Sequence, residues 1–269
     1  MKLLVGLALA CPLACPAATD AAPAPSASSA SSPEAPSPAR QFQALTGIDG
    51  AGWKLIQETP DKITWMRPDQ IIVALHVKPR DDGDAYMFDQ VTAQDRVRAD
   101  IAPSHGGLVQ VQVRHPTAAT TYDLITFKMK LASLSPQYAN SPANAYVMIA
   151  AFPLDTSVGD IQLLDREGPT TGQREAMVTV VRAMKGSDAR ISAMPPHDPY
   201  DARFDATALY VDSDARQWGN VVPTHPLSRV RALMPQLLAR SKLTGVPESV
   251  EAELTAASAA TSAKASSAP

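Results

Sequence analysis

Apolar and polar positions alternate along the middle of the chain in a pattern that predicts strands followed directly by strands. Residues 52–58 and 61–67 flank a Thr-Pro-Asp turn and predict a β-hairpin. Residues 70–77 are apolar at consecutive positions, which is typical of an inner strand covered on both faces. Residues 145–153 have the same character, and we expect them at the centre of the sheet.

Three further segments predict strands at the sides of this sheet. Residues 108–114 alternate strictly, which places Val109, Val111 and Val113 on one face of a half-buried strand. Residues 122–131 predict a strand with an inward apolar face formed by Ile125, Phe127, Met129 and Leu131. A shorter strand is expected at residues 160–165.

Three segments have the spacing of amphipathic helices, namely residues 88–102, 171–185 and 227–241. In the second helix we expect a buried apolar face made of Ala176, Met177, Val180, Val181 and Met184. In the third helix the expected stripe is Leu227, Val230, Leu233, Leu237 and Leu238. Pro235 should kink or divide this last helix, because proline lacks a backbone donor.

The order of these elements predicts the fold class α+β. We expect a mostly antiparallel sheet of about six or seven strands, flanked by three amphipathic helices in a layered sandwich. Residues 16–41 are nearly all Ala, Pro and Ser, and residues 255–269 are mainly Ala, Ser and Thr. Such segments bury too little apolar surface to offset the entropy of ordering. We therefore predict a single domain at 42–246, a disordered tether at 16–41 and a low-complexity tail at 247–269.

Residues 1–15 have the features of a secretory signal. Lys2 precedes the apolar residues 3–10, a stretch far shorter than the ~20 residues that a membrane-spanning helix needs. A buried N-terminal strand or helix is the competing interpretation, and the low-complexity sequence that follows disfavours it. We expect an exported protein, in the periplasm or anchored to a membrane.

The two cysteines, Cys11 and Cys15, both end short segments that resemble the lipobox of bacterial lipoproteins. Lipidation of Cys15 would anchor the protein by its N-terminus, which is the membrane contact we expect. Ordinary cleavage near Ala18 or Ala22, giving a soluble protein, stays open. Because no cysteine follows Cys15, the domain is predicted to fold without a disulfide.

Charge and composition disfavour nucleic acid as a partner. The formal net charge is −3 and aromatic residues make up 5% of the chain, so neither a basic stripe nor a base-stacking surface is indicated. The five histidines lack metal-ligand spacing, and we assign no catalytic residue, metal or cofactor. The acidic segment 197–214 has oxygen ligands that could suit calcium, but turn formation explains it more simply.

Two segments carry a resemblance to a known family. Residues 170–178 (TTGQREAMV) and 225–231 (HPLSRVR) resemble a family of bacterial exported proteins or lipoproteins with a PsbP-like α/β sandwich domain. The predicted strand order over residues 52–240 is similar to that sandwich. The resemblance implies a binding or assembly role and supplies no catalytic residues.

Four residues are candidate binding residues. Arg174 lies in the first turn of a helix, where an arginine needs a partner; that partner is Asp165 or Glu167, or an external anion. Tyr138 lies in the polar loop 133–144, and Arg229 and Arg231 lie on the polar face of the last helix.

The leading hypothesis is a non-enzymatic envelope protein that binds another protein or an envelope component. One alternative is a hydrolase-like enzyme that uses histidines and aspartates brought together by the fold, namely His105, His225, Asp198, Asp201 and Asp205. The other alternative is a structural or immunity-type partner protein.

Overall fold

The computed structural model describes residues 35–80, 89–104, 106–117, 120–168, 171–184, 197–198, 201–204 and 211–243. Its helices are α1 (Pro38–Thr46), α2 (Gln90–Ile101), α3 (Gln173–Met184) and α4 (Pro226–Leu238). Its strands are β1 (Lys54–Glu58), β2 (Lys62–Met66), β3 (Ile72–Pro79), β4 (Gly107–Thr117), β5 (Thr120–Lys130), β6 (Asn144–Pro153), β7 (Ser157–Arg166), β8 (His197–Asp198) and β9 (Asp201–Phe204). The predicted signal, the Cys15 lipidation site and the tail lie outside these residues.

Seven of the strands form one sheet in the order β1-β2-β3-β7-β6-β5-β4. Every neighbouring pair in it is antiparallel, as the succession of strands predicted. The α+β fold class is therefore confirmed. The predicted central strand is β6, which lies beside the middle strand β7 and is buried on both faces.

Side chains from the two faces of the sheet enter two separate cores. We call the first side the α4 face, because α1 and α4 pack there over Leu75, Tyr146 and Ile161. We call the other side the α2 face, where α2 packs over β4 and the core contains Ile125 and Phe127. Successive residues of each strand alternate between these faces. Two residues that are paired in register on neighbouring strands therefore have their side chains on the same face.

The fold begins earlier than the predicted boundary at residue 42. Residues 38–41, assigned to the tether, form the first turn of α1, with Pro38 inside that turn and Ser37 as its cap. Ala39 and Phe42 are buried. The Phe42 ring lies against Gly159 of β7, where a Cβ atom would come within 2.4 Å of it. A glycine at this position is what lets the helix approach the sheet.

The prediction that three valines of β4 share a face was wrong. The register shifts between Leu108 and Gln110, so Val109 is an extra residue in a β-bulge. Val109 joins the core on the α4 face, whereas Val111 joins the core on the α2 face. The bulge breaks the alternation on which the prediction depended.

The apolar stripe predicted for α3 is exposed, which is the largest departure from the sequence prediction. Met177 is 46% exposed, Val180 is 51% exposed and Met184 is 82% exposed. The buried residues of the helix are Arg174 and Val178. The helix is held to the domain by its polar side.

The other two predicted helices form, with one correction each. The helical spacing of residues 88–102 is carried by Phe88, Val91, Val97 and Ile101, which predicts that they share a buried face. In α2, Val97 and Ile101 are buried, but Val91 is 64% exposed. In α4 the predicted stripe is buried, and the helix continues through Pro235 to Leu238 as one element. The donor that Pro235 lacks removes one helical hydrogen bond, the one to the Arg231 carbonyl, and this loss does not divide the helix.

Within the ranges described, no helix is long and apolar enough to cross a membrane.

Candidate functional site

Arg174 is fully buried at the junction of α3, α4 and the short 3₁₀ turn Asp212–Asp214. Its Nε donates to the carbonyl of Ser213 at 2.5 Å, and its Nη1 donates to the Ser228 hydroxyl at 2.8 Å. These contacts fit the expectation that Arg174 has a partner inside the fold rather than an external anion. The predicted carboxylates, however, bind other groups, as described next.

Glu167 belongs to a buried group at the N-terminus of α4. His225 caps the helix, because its Nδ1 accepts the Leu227 amide at 3.2 Å. With Nδ1 as acceptor, the ring proton is on Nε2, which lies 3.6 Å from Glu167 Oε1. The Tyr146 hydroxyl donates to the same oxygen at 3.3 Å, and its ring lies edge-on to the His225 ring.

Within this group the pKa of Glu167 is lowered and the pKa of Tyr146 is raised. Burial tends to raise the pKa of Glu167, but the nearby His225 ring and the hydrogen bond from the Asn144 amide outweigh it and hold that pKa below its usual value. The pKa of the Tyr146 phenol is well above its usual value because of burial and nearby carboxylates, among them Asp214. A neutral phenol and an ionised carboxylate make a stable donor–acceptor pair, which suits a structural role.

A buried ion pair holds the 3₁₀ turn against the sheet. Lys128 Nζ of β5 lies 2.5 Å from Asp214 Oδ2, and both side chains are almost fully buried. The same carboxylate oxygen accepts the Val211 amide at 3.0 Å. Arg231, a predicted binding residue, donates to the Asp214 carbonyl at 2.8 Å. These bonds fix an irregular segment to the face of β5.

Arg229, the next candidate, is also engaged within the fold. Its Nη2 donates to the Asp69 carbonyl at 2.5 Å, and its Nη1 lies 3.3 Å from Asp165 Oδ2. Burial raises the pKa of Asp165, and the positive charge of Arg229 offsets only part of that shift. The positive charge expected on the outer face of α4 is thus bound to two segments of the same chain. A partner-binding role for it stays a prediction.

Tyr138 lies in the predicted loop, which contains the 3₁₀ turns Leu131–Ser133 and Pro136–Tyr138. Its hydroxyl accepts a hydrogen bond from the Arg166 guanidinium, which also lies 5.5 Å from the ring centroid. The ring packs at the margin of the core on the α2 face. The binding role of Tyr138 stays a prediction.

The structure describes three of the five residues of the enzyme alternative. His225 is buried as a helix cap, and Asp198 pairs with Asp201 across the small β8–β9 ribbon. His105 and Asp205 lie outside the described residues. Among those described, no group of three His, Cys, Asp or Glu side chains could hold a metal ion.

The outward face of α3 is the surface that these contacts leave uncovered. Its exposed residues carry no charge; they are Gln173, Ala176, Met177, Val180, Ala183 and Met184. The charged residues turn toward the domain: Glu175 accepts from the Ser213 hydroxyl at 3.2 Å, and the Arg182 guanidinium lies 5.0 Å from the Trp218 ring centroid. We call Met177, Val180 and Met184 the α3 stripe.

No family model matches the chain, and no curated protein matches it. A solution structure of cyanobacterial PsbP from Synechocystis sp. PCC 6803 is similar to 51% of this chain and 80% of its own, with 6% identity and a TM-score of 0.32. A Bacteroides thetaiotaomicron VPI-5482 structure covers 46% of this chain and 39% of its own, with 8% identity and a TM-score of 0.26. Human StAR-related lipid transfer protein 5 covers 55% and 91%, with 12% identity and a TM-score of 0.24. Likenesses of this size carry no argument about function.

Proposed function

We propose that this protein is a non-enzymatic module of the cell envelope that binds a partner protein. The partner presents an amphipathic helix, which lies along the α3 stripe. The observation that carries the proposal is the reversed polarity of α3, whose charged side chains contact the domain while its apolar side chains face solvent.

A reversed helix is costly unless the exposed side is used. Leaving Met177, Val180 and Met184 partly in water forgoes about 1–2 kcal/mol for each side chain that a partner could cover, since full burial of such a side chain contributes about 1.5–3 kcal/mol. Methionine also adapts its shape to an apolar partner, because its side chain is unbranched and flexible. An exposed apolar helix face therefore has the character of a docking surface.

The spacing of the stripe favours a helix as the partner. Its residues are separated by three and then four positions, which is the a–d–a spacing of a helix–helix seam, over about 10 Å of helix. The exposed residues beside the seam are uncharged, so they offer no cationic contacts to a lipid surface. A protein helix with its own apolar seam fits these features better than a membrane does.

The location is part of the proposal and depends on the N-terminal sequence. Lys2 and the apolar residues 3–10 support export, and Cys15 supports lipidation. The Ala/Pro/Ser-rich residues 16–37 would then form an extended tether that holds the domain away from the membrane.

Site-specific photo-crosslinking in cells of the source organism tests the proposal. A photoreactive residue at Met184 should give one discrete adduct with another protein, and the crosslinked peptide should have apolar residues at helical spacing. The matched control is the same residue at Ala232, which is exposed on α4 and should give no adduct. Val180→Glu should abolish the Met184 adduct while changing the melting temperature by no more than about a degree, because exposed substitutions rarely affect stability.

Three outcomes would overturn this function. An adduct that contains only this chain would show that the stripe joins two copies. Equal adducts at Met184 and Ala232 would show non-specific contact. No adduct at Met184 would show that the stripe binds no protein.

A further inference from the structure

The methionines of the domain divide sharply by exposure. Met177 and Met184, at the two ends of the α3 stripe, are 46% and 82% exposed. Met129, Met148 and Met234 lie in the cores of the domain and are 1%, 3% and 0% exposed. In the part of the chain that the structure describes, no other methionine is as exposed as the two in the stripe. The thioether sulfurs that solvent reaches best are therefore on the proposed docking face.

No thiol of the domain competes with these thioethers for an oxidant. Cys11 and Cys15 are the two cysteines of the chain, and both precede the domain. Thiols and thioethers are the side chains that two-electron oxidants convert most readily, and susceptibility follows exposure. An oxidant such as hypochlorous acid therefore meets Met184 and Met177 before the methionines of the cores.

Oxidation of the stripe would leave the attachment of α3 intact. The helix is held by the hydrogen bonds of Arg174 and Glu175, which lie on its buried side. The sulfurs of Met177 and Met184 lie on the other side, toward solvent. A sulfoxide there stays in contact with water and adds no buried polar group to the domain.

The same change would oppose docking of an apolar partner. A sulfoxide oxygen is a strong acceptor, and covering it with an apolar surface leaves it without hydrogen bonds. Val180 is the residue between the two methionines in the stripe, so a helix that follows the stripe covers one methionine at each end. Oxidation of both ends leaves a single apolar residue in the seam.

We propose that Met177 and Met184 form a reversible oxidation site that switches partner binding off. This inference rests on the proposed function of the α3 stripe. With hypochlorous acid, each sulfur loses two electrons and gains a bond to oxygen, and chlorine leaves as chloride with a proton. Methionine sulfoxide reductases reverse the step: the oxygen leaves as water, and two thiols of the reductase become a disulfide.

Tandem mass spectrometry of the purified full chain, treated with limiting hypochlorous acid, tests the oxidation site. Met184 should form sulfoxide first and Met177 second, both at least about tenfold faster than Met129, Met148 and Met234. The melting temperature should stay within about a degree. In guanidinium chloride the five methionines should react at similar rates. Equal rates in the folded protein, or a loss of several degrees on oxidation, would overturn the site.

Photo-crosslinking in cells tests the switch, with the photoreactive residue at the exposed Ala183 beside the stripe. Brief treatment with hypochlorous acid should lower the yield of the partner adduct at least about fivefold. Purified reductases for both sulfoxide epimers, added to permeabilised cells, should restore it. The control is the double variant Met177→Leu and Met184→Leu, compared with itself. Its ratio of adduct after treatment to adduct before should stay near one, because leucine has no sulfur.

The outcomes separate the switch from the function on which it rests. No adduct before treatment overturns the proposed function and the switch with it, while the sulfoxide pattern of the purified chain still decides the oxidation site. An adduct that persists on oxidised wild type, or an equal loss in the double variant, overturns the switch alone. If the double variant gives no adduct at all, restoration by the reductases decides, and its failure overturns the switch.

Discussion

Helices α3 and α4 have similar lengths and similar apolar periodicity, yet the domain buries opposite sides of them. They have 12 and 13 residues, respectively. In α4, Val230 is 0% exposed and Leu233 is 5% exposed, whereas in α3, Met177 and Val180 are about half exposed. The residue that α3 buries completely is Arg174.

The difference comes from what each helix packs against. α4 lies across β6 and β7, whose side chains on that face are largely apolar. α3 lies instead against the 3₁₀ turn Asp212–Asp214, which offers a backbone carbonyl and a hydroxyl. A helix stripe tells which side chains share a face, but the neighbouring surface decides whether that face is buried.

Arg174→Ala should destabilise the domain by about 3–5 kcal/mol, because it removes a large buried side chain and leaves the Ser213 carbonyl without its donor. Urea denaturation measures the change. Arg182→Ala, on the same helix, should cost only about 0.5–1 kcal/mol, since Arg182 is partly exposed where it contacts Trp218. Similar losses for the two variants would mean that α3 is not held by its buried arginine.

Leu233→Ala in α4 should cost about 2–4 kcal/mol through lost burial and a cavity. Met177→Ala in α3 should change the free energy of unfolding by less than about 0.5 kcal/mol, because the side chain already contacts water. Thermal and urea unfolding of both variants would check this. A large loss for Met177→Ala would show that the stripe is covered in solution.

Asp123→Asn should stabilise the domain by about 1–3 kcal/mol at pH 8 and by much less at pH 4. The reason is that Asp123 is fully buried in β5, which raises its folded pKa to about 8, so the folded state holds a proton that the unfolded state has lost. The free energy of unfolding of the wild type should therefore fall as the pH rises from about 4 to about 8, and that of the variant should not. Unfolding free energies across this pH range decide the matter; parallel curves would contradict it.

Arg229→Ala should have a small effect, a loss of about 1 kcal/mol, because the ion pair with Asp165 is partly exposed on the arginine side. Arg240→Ala, just after α4 at an exposed position, should be neutral. If Arg229→Ala is neutral as well, the polar face of α4 is free for the partner role that its sequence predicted.

The sequence predicted the strands and their antiparallel pairing well, because alternation and turn residues are local signals. It missed α1, since Pro38 and Ala39 look like the rest of the Ala/Pro/Ser segment. The available signal was Phe42 followed by Gly47. This glycine caps the helix in the left-handed conformation. It also missed the burial of Asp123, because the residues beside it come from the neighbouring strands.

The amino-acid sequence by itself determined the fold class, the faces of most strands and the buried stripe of α4, since each follows from periodicity within one segment. Only the tertiary structure decided which side of α3 meets solvent, what Arg174 and Arg229 bind, and which residues stand beside Asp123. Those outcomes depend on contacts between segments far apart in the chain, and periodicity within a single segment carries no information about its neighbours.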